Sequence, residues 1–247
     1  MLRPLRIALG LLTRWPVPAV PRPTGPEHGA SLAWYGVAGV AVGAPVALVA
    51  WGAAASGAGA GLAAAVALAV WVLVTGALHL DGLADTADAW VGGLGDRART
   101  LAILKDPASG PAGVTAIVLV LLLAHQGLAA LVAQGRWVVP PVAAVAARAL
   151  AAVLLAWTPY VRPGGMAEAA VRHAPRRACL AGAGVALGAS VALGGVPALA
   201  AWAGAGGAVL GVRGWALRRL GGLTGDVVGA AIQLAEAAAL VAAVAGA

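Results

Sequence analysis

Asp81, Asp85 and Asp88 stand at i, i+4 and i+7 in the stretch "HLDGLADTAD". On a helix, that spacing puts all three carboxylates on one face. Clustered carboxylates repel one another and at neutral pH call for a cation, either arginine or a metal. Hard oxygen ligands suit Mg²⁺ or Mn²⁺, and Mg²⁺ typically shares its sites with substrate phosphates. Gly82, between the first two aspartates, lets a backbone or a phosphate come close. His79 reads equally as a ligand, a donor beside the site, or a histidine at a membrane interface. The chain has only nine acidic residues, and Asp81, Asp85, Asp88, Asp96 and Asp106 fall in this one segment. A merely solvated helix face does not explain that concentration, because the other loops of this chain use arginine and almost no acid.

Cations follow at once. Arg97, Arg99 and Lys105 are suited to neutralising phosphate oxygens, and Lys105 is the only lysine of the chain. "KDPASG" reads as a turn, with site roles for Lys105 and Asp106. A second block, "RRLGGLTGDVVGAAIQLAE", runs from Arg218 to Glu236. Thr224 is placed to cap a helix with Asp226 in its first turn. On that helix Asp226, Gly229, Ala230 and Gln233 share a small-residue face that presents a carboxylate and an amide inward. Glu236 lies about 15–18 Å along the same helix, and Arg148 lies about 15 Å from the inner end of its own apolar segment. Ionisable groups at such depth are costly and are paired or functional. Their matching depths predict an interaction, either direct or through a shared substrate group. His125 and Gln126 read as polar packing groups.

The elements that must hold these side chains are membrane helices. Hydrophobic residues make up 62% of the 247, charged residues only 10%, and the mean hydropathy is +0.92; soluble domains carry about 25% charged residues. Seven apolar segments of spanning length are read at 31–54, 60–80, 111–134, 138–158, 178–195, 197–213 and 223–246. The fifth and sixth are short and split only by "GGVP", so a re-entrant pair is the alternative for them. With the N-terminus in the cytoplasm, all but two of the 16 Lys and Arg fall on the inner side; the exceptions are Arg136, in an outer loop, and Arg148, within a span. That asymmetry supports both the spans and their orientation. It explains the net charge of +7 through anionic lipid rather than nucleic acid. The lone Cys179 excludes an internal disulfide and reads as packing. The N-terminal stretch reads as an interfacial helix, since Arg14 interrupts its short apolar run. The expectation is an all-α, polytopic integral membrane bundle of about seven helices, forming one domain over 1–247. Residues 1–30 are its interfacial segment and 81–110 its cytoplasmic catalytic segment.

Taken together, "LLTRWPVP", "GALHLDGLADTADAW", "ILKDPASGPAG", the arginine of "AARA" and "RRLGGLTGDVVGAAIQLAE" resemble the cobalamin synthase family along nearly the whole chain. The resemblance implies an adenosylcobinamide-GDP ribazoletransferase of the inner membrane, with its active site facing the cytoplasm. In that reaction the ribose 3′-hydroxyl of α-ribazole, or of its 5′-phosphate, displaces GMP from adenosylcobinamide-GDP with Mg²⁺ (or Mn²⁺). It further implies Asp81, Asp85 and Asp88 as metal ligands, with these or Asp226 as catalytic carboxylates. Substrate contacts then fall to His79, Arg97, Lys105, Asp106, Arg148, Thr224, Gln233 and Glu236. Ala108 stands where the family pattern has arginine, which passes a phosphate contact to Arg97 or Lys105. Membrane lipid is the expected surrounding, and a homo-oligomer or a complex with other cobalamin-assembly enzymes is left open. A CDP-alcohol phosphotransferase is the rival enzyme, but its longer four-aspartate spacing is absent. An ion transporter would spread acids along a crossing path, whereas here most lie on one side.

Overall fold

A computed structural model describes residues 2–246. Its helices run in the order α1 (Leu2–Leu12), α2 (Gly25–Ser31), α3 (Tyr35–Ala55), α4 (Ala60–Thr75), α5 (Leu78–Gly92), α6 (Arg97–Ile103), α7 (Pro111–Ala133), α8 (Val139–Trp157), α9 (Glu168–Arg172), α10 (Arg176–Leu220) and α11 (Gly225–Ala245), with a 3₁₀ turn, Leu32–Trp34, joining α2 to α3. The only β pairing among the described residues is a single parallel bridge, Tyr160 with Leu223. The all-α membrane bundle expected from composition is thus what the chain forms. Among the described residues, five helical segments are long and apolar enough to cross a membrane, or six if the bent pair α4–α5 counts as one.

Small residues bring the helices together. On α3, a Cβ at Gly39 would sit 2.6 Å from the Cα of Val145, and Gly43 is pressed as tightly onto Pro141. The small residues of "GVAGVAVG" (36–43) thus mark the crossing of α3 and α8, where backbones meet without side chains between them. Helix α1 is tied to α2 by the Arg3–Glu27 ion pair at 2.6 Å. Thr24 and Glu27 form a reciprocal capping box that starts α2.

Two departures from the expected segments bear on the site. The second apolar segment does not run to residue 80. Helix α4 stops at Thr75 because Gly76 is left-handed (φ 62°) and Ala77 is as well (φ 58°), and α5 leaves at 87°. Glycine tolerates that conformation freely; alanine does so only under constraint. Arg14 supplies the constraint: its side chain fills the space where a Cβ on Gly76 would be, and its amide donates to the Val74 carbonyl at 2.7 Å.

The second departure concerns the pair of segments split by "GGVP". Both are full helices, joined at Gly195 (φ 58°, ψ −142°) just before Pro197. Forty-five residues in a straight helix would measure about 67 Å, and the packing instead requires a hairpin. Arg176 donates to the carbonyl of Ala156 near the end of α8, while Gly194 lies against Val138 at its start. The returning half passes Gly246 at Val196 and ends at Leu220, one short turn before α11 begins. It also continues two turns past Arg213. Arginines at a helix C-terminus suit its dipole, and Arg213 Nε donates to Thr158 Oγ1 at 3.0 Å. The charge at Arg213 therefore marks where the apolar run stops, not where the helix does.

Candidate active site

Helix α5 lies across one end of the bundle, beyond the corner at Gly76 and Ala77. Three contacts fix it there, each to a helix end. Gly82 presses against the first turn of α11, where its Cβ would meet the Asp226 carbonyl oxygen at 2.6 Å and the Gly229 Cα at 3.2 Å. Asp88 meets the start of α7. Trp90 stacks on Trp215 of α10 with ring centroids 5.1 Å apart and planes 4° from parallel, and its carbonyl accepts from Arg219 at 3.0 Å. Gly82 thus serves the close approach expected of it, and the neighbour is the backbone that carries Asp226.

Asp226 is set by a local construction. Thr224 caps α11, accepting from the Val227 amide at 3.3 Å, and its hydroxyl lies 3.3 Å from Asp226 Oδ2. Arg162 donates to the same oxygen at 2.7 Å. The loop after α8 is held beside the start of α11 by two backbone bonds, Leu223 to the Pro159 carbonyl (2.8 Å) and Val161 to the Leu223 carbonyl (2.9 Å). Arg162 is a site residue that sequence reasoning counted only as part of the basic inner surface. Its one signal is that it is the sole charge in "WTPYVRPGG".

The three aspartates share a face of α5 but do different things. Asp81 is exposed; Asp85 and Asp88 are half-buried. Asp88 accepts the Gly110 amide at 2.6 Å and the Gly113 amide at 2.9 Å, one on each oxygen. A carboxylate on the free amides of a helix start is a favourable use of both charge and lone pairs. Asp85 sits among negative neighbours. Burial first, then the charges of Asp81, Asp226 and Asp88, push its pKa up to about 6 against the smaller opposing pull of Arg162. Among the described residues no three His, Cys, Asp or Glu side chains converge closely enough to hold a metal by themselves. Asp81 and Asp85 on α5, with Asp226 across the seam, remain as acid poorly balanced by protein cations. That donor set fits Mg²⁺, which takes one or two carboxylates and completes its shell from substrate phosphates and water.

The remaining candidates are spread over two levels. Near the aspartates, Lys105 and Asp106 are exposed on the turn leading to Gly110, and Asp106 accepts from the Ala108 amide at 3.0 Å. Arg97 caps the end of α10 by donating its Nε to the Leu220 carbonyl at 2.8 Å. His79, 3% exposed, has no hydrogen-bond partner on either ring nitrogen. Burial, and secondarily the Arg148 charge, hold its pKa well below the ordinary imidazole range.

Deeper in the bundle, Arg148 and Glu236 meet directly, with Nη1 to Oε1 at 2.5 Å. Trp71 of α4 donates to the same Oε1 at 3.0 Å, and Arg148 also donates to the Ala144 carbonyl at 3.0 Å. Both side chains are closed to solvent, at 0% and 2% exposure, and Gln233 is buried one turn away. Of the two expectations for this pair, direct contact is the one observed. It ties α8, α11 and α4 together below the aspartates.

The family model described as cobalamin-5-phosphate synthase matches residues 4–244. Among curated relatives named adenosylcobinamide-GDP ribazoletransferase, the protein of Pseudomonas aeruginosa PAO1 is 46% identical over 98% of this chain and 97% of its own. That of Pseudomonas entomophila L48 is 49% identical over 96% of this chain and 97% of its own. No solved structure matches.

Proposed function

For a chain that belongs to the cobalamin-5-phosphate synthase family, we propose the activity its relatives are named for: adenosylcobinamide-GDP ribazoletransferase, in cobalamin biosynthesis. The observation that carries the reading is the meeting of Asp81 and Asp85 with Asp226 across the α5–α11 seam, which Gly82 makes possible.

The ribose hydroxyl of the acceptor attacks the phosphorus next to the cobinamide. A new oxygen–phosphorus bond forms, the bridging oxygen–phosphorus bond of the diphosphate breaks, and GMP departs with the electron pair. The hydroxyl proton passes to a carboxylate of the cluster. Asp226 is well suited, because Arg162 and Thr224 engage Oδ2 and Oδ1 carries neither bond; an oriented aspartate serves phosphoryl transfer in this way elsewhere. Asp81 and Asp85 would hold Mg²⁺, which when bound supplies neutralisation of the diphosphate charge. Lys105 and Arg97, at the margin, offer further positive charge to the nucleotide.

The active site faces the cytoplasm of a multi-pass inner-membrane protein on this reading. Its support is the gathering of Arg97, Lys105, Arg162, Arg176 and Arg219 at the aspartate end of the bundle, as the positive-inside rule requires. The test uses purified protein in liposomes, supplied with adenosylcobinamide-GDP, α-ribazole and Mg²⁺. GMP release is expected, with loss of about 10²-fold or more in Asp81→Asn and Asp85→Asn. Unchanged turnover in both variants would overturn the assignment of the cluster.

A further inference from the structure

Helix α7 and the returning half of α10 both pack on α11, with little contact between them. The gap they leave is an apolar groove of about 1090 Å³. Helix α5 roofs it with Leu83, Thr86 and Trp90, on the face opposite its aspartates. Two hydroxyls lie on the walls, and neither is free for a ligand. Thr115 donates to the Pro111 carbonyl at 2.7 Å, and Thr86 Oγ1 is sealed within the packing. On the open side Leu119 and Leu123 are each more than half exposed.

The depth of the groove selects its occupant. Along α7 it runs from Pro111 to Leu123, about 18 Å, and along α11 from Ala230 to Val241, about 16 Å. That is one leaflet, half of a hydrocarbon core of about 30 Å. A spanning helix from a second copy would need a groove through both leaflets. A corrinoid or a nucleotide would need polar walls, which this groove lacks. Its aspartate end is basic. Arg219 donates to the Trp90 carbonyl at 3.0 Å, and Arg218, exposed, follows Trp215 by one turn. Among the described residues neither arginine has a carboxylate partner. The stacked Trp90 and Trp215 mark the same end, and tryptophan favours the headgroup level of a membrane.

We propose that this groove binds a phospholipid of the leaflet on the aspartate side, with an acyl chain beneath α5 and the phosphate against Arg218 and Arg219. Apolar walls one leaflet deep meet the chain, and two unpaired guanidiniums at the rim meet the phosphodiester. The bound chain completes the underside of the helix whose upper face carries Asp81 and Asp85. It is a seat for α5, separate from the groups that meet the reacting phosphorus.

The test follows lipid retention by delipidated full-length protein in detergent, read by native mass spectrometry. One phosphatidylglycerol per chain is expected to bind saturably. Diacylglycerol, which has the same chains and no phosphate, should bind about tenfold or more weakly, as two arginines at a membrane surface imply. The double variant Arg218→Gln/Arg219→Gln should lose that discrimination. Gly211 of α10 lines the groove, with nothing within 4 Å of where its Cβ would stand. Gly211→Phe therefore projects into the space of the chain and should weaken phosphatidylglycerol about tenfold or more, the worth of two or three buried methylenes. Equal binding of the two lipids by wild-type protein overturns the inference, whether or not the variants fold. So does undiminished binding by Gly211→Phe. A wild-type dimer that Gly211→Phe dissociates also overturns it, by putting a second copy in the groove. No turnover is read, so failure of the transferase reading would leave these outcomes untouched.

Discussion

Glu236→Gln separates charge from hydrogen bonding at the deepest point of the bundle. Glutamine keeps an oxygen where Arg148 Nη1 and Trp71 Nε1 both donate, so the acceptor survives and the negative charge does not. A guanidinium with no exposed surface is then left with only the neutral Ala144 carbonyl and the amide to answer it. Removing one partner from a buried ion pair costs about 3–5 kcal/mol, or roughly 10²–10⁴ in the unfolding equilibrium. That is a large part of an ordinary fold's 5–15 kcal/mol or so. Arg148→Met should cost a similar amount by stranding the carboxylate. The double variant Arg148→Met/Glu236→Leu removes both charges and should recover to within about 1 kcal/mol of the parent, because apolar replacements of a buried pair are often neutral. Reversible unfolding of purified protein in mixed detergent and SDS micelles measures all four proteins. If the double variant loses the sum of the two singles, the charges are not coupled and the reasoning from burial fails.

Asp85 gives a pH dependence. Its pKa is raised to about 6 in the folded chain, so the native state binds the proton more readily than the unfolded state does. Metal-free protein should therefore become less stable as pH rises from about 4 to about 6 and stay so above it; Asp85→Asn should flatten that limb of the melting curve, and a wild-type melt flat across the range would contradict it. Gly82→Ala inserts a methyl group against the Asp226 carbonyl, and over-packing costs about 1–3 kcal/mol; turnover should fall at least tenfold with little change in helical content by circular dichroism. Asp88→Ala leaves the Gly110 and Gly113 amides without their acceptor at about 1–2 kcal/mol, and hydrogen exchange at the start of α7 should quicken.

Much of this site could be read from residue types because its signals are local. The acid at i, i+4 and i+7 sits on a helix, Thr224 caps α11, and the deep Arg148–Glu236 pair follows from two rises of 1.5 Å per residue in facing helices. What could not be read depends on contacts between distant parts of the chain. Asp88 belongs to the aspartate series by spacing, but the start of α7, more than twenty residues on, claims both its oxygens. Arg162 looks like any arginine in a basic inner loop until the Tyr160–Leu223 bridge carries it to Asp226. The corner at Gly76 and Ala77 is hidden too. A continuous apolar run says nothing about a break whose cause, Arg14, lies in another segment.

That corner has a consequence for how the protein is made. Arg14 is synthesised long before Asp226, yet the one braces the bend that aims α5 and the other completes the seam. Until then the acid-bearing helix stands with one side of its frame missing, so the cluster of Asp81, Asp85 and Asp226 is complete only after Asp226 has been made.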